Sequence, residues 1–239
     1  MLRIEIIQIL EDNYCYLLRS EDGKCAVLDP GESPPVIDAL ESLGWTVDFI
    51  LNTHHHWDHV NGNKAIQDKY GAQIIVPEGD AHKINNYDHI LKDGDVFKLG
   101  SENAKIIATP GHTMGEICFY FENSKALFTG DTLFAMGCGR LFEGSAEDMF
   151  SSMQKLAALP DDVKIYCGHE YTLSNAQFCA DYAPENIHIK KRLKDVIGLR
   201  KENKKTIPST IAQERKTNLF LMAETAKNFA EIRSAKDRS

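Results

Sequence analysis

The stretch Thr53-His54-His55-His56-Trp57-Asp58-His59 decides how the rest of the chain is read, because it packs His54, His56, Asp58 and His59 into six residues. Four such groups are costly to bury together without an ion. Imidazole nitrogens and carboxylate oxygens are donors that zinc, iron and manganese accept. In an extended segment residues two apart share a side, so His54 and His56 can grip one metal. Asp58 and His59, past a turn, aim at a second. His55 points the other way and is expected to be structural, and Trp57 is expected to shield the site.

Working outward, every other candidate ligand closes a strand-like run. Phe49-Ile50-Leu51 leads into the histidine stretch, Ile106-Ile107-Ala108 into Thr109-Pro110-Gly111-His112, Leu127-Phe128 into Thr129-Gly130-Asp131, and Ile165-Tyr166-Cys167 into Gly168-His169. A glycine directly before three of these residues lets the backbone turn sharply. Ligands at strand ends on one edge of a sheet are the layout of a site on a rigid scaffold. Cys25–Leu28 likewise ends in Asp29, a candidate hydrogen-bond acceptor for a ligand histidine.

The set comes to five histidines and two aspartates: His54, His56, Asp58, His59, His112, Asp131 and His169. Seven donors are too many for one ion. A three-histidine pocket and a two-histidine, one-aspartate pocket bridged by a carboxylate use all seven and leave room for a bridging hydroxide. Paired ions of this kind serve displacements at carbonyl or phosphoryl centres, each lowering the pKa of bound water so that hydroxide is available at neutral pH. No Ser or Cys nucleophile is needed. Asp58 and Asp131 are the expected catalytic carboxylates, with Asp58 also steering the nucleophile. His82, His89 and His188 have no ligand neighbours and read as ordinary surface histidines. Glu116 and Glu170, beside ligand turns, read as solvated or structural.

The 239 residues carry a net charge of −8, which hides a strong asymmetry. Residues 1–189 hold 13 Lys/Arg against 29 Asp/Glu, and residues 190–239 hold 14 against 6. The acidic body argues against a broad nucleic-acid surface, whereas the basic tail reads first as a solvated, Lys-rich helical face and is open to an anionic ligand, a partner or a membrane. No apolar run is long enough for a membrane span and the N-terminus lacks a signal-peptide layout, so a cytoplasmic protein is expected. The six cysteines form no C-x-x-C pair and are expected to be reduced thiols, with Cys138 and Cys167 as small packing residues.

Strand runs recur up to Val163–Tyr166, interrupted by helical patterns from Pro34 to Leu43, Asn61 to Tyr70 and Ala146 to Leu159. From about Leu173 the spacing turns helical. Thr210-x-x-Gln213 reads as a capping box, and Leu219 to Ile232 as a last amphipathic segment. The expected organisation is an α/β (α+β) body over 1–171 and a small all-helical domain over 172–239.

His54 through His59 meet the H-x-H-x-D-H motif of the metallo-β-lactamase fold superfamily, and His112, Asp131 and His169 match its remaining ligands. The chain resembles, over essentially its whole length, the glyoxalase II (hydroxyacylglutathione hydrolase) family within it. Its more specific marks are Thr109–Thr113, Gly137–Gly144, Gly168–Thr172 and Pro208-Ser209-Thr210-Ile211. The resemblance implies an αββα sandwich carrying a dinuclear site, followed by a helical glutathione-binding domain. It implies two divalent ions, most often Zn with Fe or Mn as alternatives. The implied activity is hydrolysis of the thioester of S-(2-hydroxyacyl)glutathione, chiefly S-D-lactoylglutathione, by a monomer. Implied substrate contacts fall on Arg140, Phe142, Tyr171, Arg233 and Lys236. Arg140 and Phe142 depart from the Lys and Tyr common in relatives, and a Phe cannot donate the hydrogen bond of a Tyr hydroxyl. The competing readings are a persulfide dioxygenase with a single iron, a phosphodiester nuclease, which the acidic body disfavours, and a glutathione-binding protein without turnover.

Overall fold

The computed structural model describes residues 1–239. Two six-stranded sheets stack face to face. The first runs in the order β1 (Arg3–Ile9), β2 (Asn13–Arg19), β3 (Cys25–Leu28), β4 (Phe49–Leu51), β5 (Gln73–Pro77) and β6 (His89–Leu91), antiparallel up to β3 and parallel from β3 to β6. The second contains β7 (Val96–Leu99), β8 (Glu102–Ala108), β9 (Ile117–Phe121) and β10 (Ala126–Gly130), consecutive and antiparallel. A separate two-stranded ribbon follows, β11 (Leu133–Phe134) with β12 (Gly137–Cys138). The second sheet is completed by β13 (Lys164–Cys167), parallel to β10, and β14 (Ser209–Thr210), antiparallel to β13.

Strand alternation assigns each side chain to a layer. In β2, Tyr14, Tyr16 and Leu18 join Phe119, Phe121 and Phe128 in the core between the sheets. Cys15 and Leu17 face outward against α1 (Pro34–Leu43) and α3 (Asn63–Tyr70). In β9 the outward pair is Cys118 and Tyr120, covered by α4 (Ala146–Ala157). The helices end where the sequence punctuates them. Gly44 and Gly71 close α1 and α3 in the left-handed region, and Ser145 opens α4 through a reciprocal cap with Asp148.

Three local expectations change. The helix expected from Asn61 is preceded by a separate turn, α2 (Trp57–Val60), which carries Asp58 and His59. The tail comprises α5 (Thr172–Tyr182), α6 (Ile187–Lys201), α7 (Ile211–Thr217), α8 (Leu219–Met222) and α9 (Ala226–Asp237), so the run from Leu219 to Ile232 is broken in two. It is also not purely helical, because Ser209–Thr210 form β14. The Thr210 hydroxyl accepts from Gln213 N, but the Gln213 side chain meets the Ser209 hydroxyl, so only half of the capping box forms. The tail helices cover the outer face of the second sheet together with α4, and Phe220 and Phe229 share one apolar cluster with Cys118, Leu127 and Ile165. No helix is long and apolar enough to cross a membrane.

Candidate metal centre

The seven candidate ligands converge at one end of the sandwich. His54 and His56 lie on the segment leaving β4, Asp58 and His59 on α2, and His112, Asp131 and His169 just after β8, β10 and β13. Gly130 takes φ +46, a left-handed turn that aims Asp131 inward. At Gly168 the reason for glycine is space: a Cβ there would sit 2.3 Å from Asp131 Oδ1 and 2.9 Å from His59 Cε1.

Two pockets result. His56 Nδ1 lies 3.1 Å from His54 Nε2 and 3.0 Å from His112 Nε2. In the second, Asp58 Oδ2 is 3.6 Å from His59 Nε2 and 3.4 Å from His169 Nε2. Asp131 stands between them, its Oδ2 3.4 Å from His112 Nε2 and 3.3 Å from His169 Nε2, and its Oδ1 3.5 Å from His59 Nε2. His54, His56 and His112 form one group with metal-binding spacing, and Asp58, His59 and His169 form another.

The outward ring nitrogens dictate what the inward ones can do. His59 Nδ1 is 3.0 Å from the Asp29 carboxylate, His169 Nδ1 2.7 Å from that of Asp12, and His112 Nδ1 2.8 Å from the Arg140 carbonyl. These acceptors require a proton on Nδ1 and so leave a lone pair on each inward Nε2. The Thr53 hydroxyl donates to Asp29 Oδ2, which leaves its oxygen free to accept from His54 Nδ1 at 3.0 Å. Inside the cluster, His59 Nε2 and Asp131 Oδ1 are buried without any hydrogen-bond partner. Such an orphan costs about 1–3 kcal/mol, which coordination to a cation offsets. The donor set therefore fits a pair of divalent ions.

The charges agree. Burial, followed by repulsion from His59, holds His54 well below the usual histidine range, and burial with His112 brings His56 down to about 4. Both rings are neutral at pH 7. Burial pushes Asp131 up, yet the facing His169 and His59 outweigh it and hold the carboxyl well below its ordinary value. Burial likewise lowers His169, but Asp131 and Asp12 lift it to about 10. On the His169 side of the centre a proton thus stands where a divalent cation would stand, and metal capture must displace it.

A cavity of about 650 Å³ opens above the cluster, with His56, Asp58, His112, Asp131 and His169 on its wall. All five residues expected to touch substrate also line it. Arg140 is exposed at its edge. Tyr171 stacks on His169, centroids 4.7 Å apart and 5° from parallel, so it also fixes that ring. Phe142 is 61% exposed and packs over His112 and His56, with centroids 5.1 and 5.7 Å away. Arg233 is buried, donating to the Cys138 carbonyl (3.0 Å) and to Asp237 Oδ1 (2.8 Å), so much of its fork is already engaged. Lys236 Nζ donates to Ser174 Oγ at 3.0 Å.

Several residues around the centre escaped the sequence reading. Asp12 holds His169, and Asn13 Nδ2 donates to Asp58 Oδ2 at 2.8 Å. Fully buried Asp80 accepts from His55 N, from its ring and from the Thr113 hydroxyl, which places His55 in a structural role. Glu116 is not solvated: it is fully buried and accepts from Asp131 N at 2.6 Å. The Glu170 side chain is buried too, accepting from the Tyr14 hydroxyl and from Thr206. Trp57 is 62% exposed at the lip of the cavity that His56 and Asp58 line. Cys138 and Cys167 are buried.

Residues 10–169 match the metallo-beta-lactamase superfamily, and residues 170–239 match the hydroxyacylglutathione hydrolase C-terminus. Fold and paired His/Asp pockets thus define a metal-binding member of that superfamily. Solved structures of the same fold include BLEG-1 B3 metallo-beta-lactamase (TM-score 0.73, 22% identity, 92% of this chain and 100% of that one). ETHE1 from Myxococcus xanthus is similar to the same degree (TM-score 0.73, 22% identity, 98% and 90%). Sequence relatives are closer. The hydroxyacylglutathione hydrolase of Pelagibacter ubique is 46% identical over 237 residues, covering 99% of each chain, and that of Methylococcus capsulatus is 45% identical over 252, covering 99% and 98%. The chain belongs to the hydroxyacylglutathione hydrolase, or glyoxalase II, family.

Proposed function

We propose that the chain hydrolyses the thioester of S-(2-hydroxyacyl)glutathione, chiefly S-D-lactoylglutathione, to glutathione and D-lactate, the second step of methylglyoxal detoxification. The observation that carries this is the pair of His/Asp pockets sharing Asp131 on the wall of a cavity edged by Arg140 and Lys236. The set His54, His56 and His112 would hold one divalent ion and Asp58, His59 and His169 the other, with Asp131 between; zinc is our choice of metal. When bound, such ions supply Lewis acidity and hydroxide at neutral pH.

The chain's own residues do the rest. Asn13 donates to Asp58 Oδ2, the oxygen that faces His59 and His169, and so fixes the carboxylate toward that pocket. Glutathione carries two carboxylates, and Arg140 and Lys236 are the cations placed to receive them, Arg140 through a two-pronged contact. Tyr171 holds the His169 ring by stacking on it, and Phe142 closes the wall over His112 and His56. Residues 1–171 act as the catalytic part and 172–239 as the glutathione-binding part. The working unit is a cytoplasmic monomer, a reading supported by six buried cysteines without a disulfide and by a cavity that one chain completes.

The deciding assay is hydrolysis of S-D-lactoylglutathione by metal-loaded protein together with metal analysis. Thioester loss with two ions per chain is expected. Oxygen uptake on glutathione persulfide with one iron per chain would replace this reading with the dioxygenase, and glutathione binding without turnover would replace it with a binding protein.

A further inference from the structure

The β11–β12 ribbon connects Asp131 to Arg140, and it is too short to hold its own shape. Only Leu133 with Cys138 and Phe134 with Gly137 are paired, and its turn contains Met136 at φ +59, left-handed for a residue with a full side chain. Its backbone is instead met by side chains from the tail. Asn218 Nδ2 donates to the carbonyls of Phe134 (3.1 Å) and Gly137 (3.0 Å), and Glu214 Oε2 accepts from Met136 N (2.7 Å). Asn175 donates to the Ala135 carbonyl, Cys179 to that of Met136 and Arg233 to that of Cys138.

What this ribbon controls is the metal centre. Its return leg presses on Asp131: Gly139 N donates to the Thr132 carbonyl, and a Cβ on Gly139 would lie 1.9 Å from the Asp131 carbonyl oxygen. One residue further, the Arg140 carbonyl is the acceptor that sets the His112 tautomer. A shift of the ribbon would therefore move Asp131, His112 and the root of the Arg140 side chain together.

We propose that Glu214 and Asn218, both fully buried and outside the cavity wall, are positioning residues for Asp131, His112 and Arg140; this rests on the roles given to those three under the proposed function. Holding the helices against the sheet would not need them. Apolar side chains do that at no desolvation cost, whereas Glu214 requires a buried partner in Arg192. Polar groups in such a place specify a geometry. The Asn218 amide is also unambiguous in orientation, because its Oδ1 accepts from Phe220 N and caps α8.

The test uses that asymmetry. Asn218→Asp keeps the cap oxygen and removes the donors to the ribbon and to Glu214 Oε2 (3.0 Å), and Leu156→Ala on α4 loosens the same apolar layer from a helix with no hydrogen bond to the ribbon. Four quantities are compared in the full chain: thermal midpoint, zinc retained against EDTA, kcat and KM. Asn218→Asp is expected to lose zinc about tenfold faster and to drop at least about tenfold in kcat/KM. Leu156→Ala, at an equal or larger loss of midpoint, should stay near wild type in zinc retention and in kcat/KM. If the two variants lie on one common trend with midpoint, the role is merely structural and the proposal fails. Should Asn218→Asp not fold, hydrogen exchange on the unaltered protein decides: the Met136 amide is expected to be as protected as those of β10, and exchange at the rate of an open loop overturns the idea. Zinc retention and exchange do not depend on which thioester is cleaved, so an inactive wild type would sink the proposed function and leave this inference standing or falling separately.

Discussion

Asp29 shows how one side chain can serve a loop and a ligand together. Its carboxylate accepts from Thr53 N, from the Thr53 hydroxyl and from His59 Nδ1. Asp29→Asn puts an amide donor where acceptors are needed, so His59 should lose its inward lone pair and metal affinity should fall roughly 10–100-fold, read by competition with a chelator. Asp12→Asn should do the same through His169. Because His169 is held protonated to about 10 without metal, capture releases protons, and apparent affinity should rise with pH across the neutral range; a flat profile would contradict the assignment. Arg140→Ala and Lys236→Ala should raise KM severalfold with kcat little changed, as when uniform binding is lost. Arg233→Ala should differ from them, lowering the thermal midpoint as well, because its fork already ties α9 to the ribbon. The clustering of the seven candidate side chains could be read from the sequence, since four share one segment and the others each close a strand. Their supporters could not. Asp12 and His169 are 157 positions apart, and no spacing rule links them.

Among the elements, those with a chemical start or stop were legible. Pro34 and Gly44 bound α1, and Ser145 with Asp148 opens α4. Removing that cap with Ser145→Ala should cost about 1 kcal/mol. In a chain of this size that lowers the thermal midpoint by roughly 2–4 °C, and kcat should not change, since α4 carries no ligand. β11, β12 and β14 were invisible for a physical reason. Two residues show no alternation, and their pairing is imposed by partners elsewhere. The break between α8 and α9 was hidden likewise, because the apolar residues on either side fill one continuous core.

For the whole molecule, the charge asymmetry marked off a basic tail, but nothing in it signalled that buried side chains of that tail meet the ribbon between Asp131 and Arg140. Stripping the protein with a chelator should lower its thermal midpoint, and restoring two equivalents of zinc should recover it. Native protein should leave its six thiols unreactive toward an aqueous thiol reagent until it is unfolded, as all six are buried. Glu170 carries a further consequence. It directly follows His169 and accepts from Tyr14 near the N-terminus and from Thr206 in the tail, while its own N–H reaches the Asp12 carbonyl. The centre is thus stitched from the beginning, middle and end of the chain. During vectorial synthesis the histidine stretch leaves the ribosome long before Thr206, Glu214 and Asn218 exist, so the nascent chain holds only half a claw. Closure of the centre around its supporting side chains therefore waits on the finished polypeptide, because Thr206, Glu214 and Asn218 come from its last third.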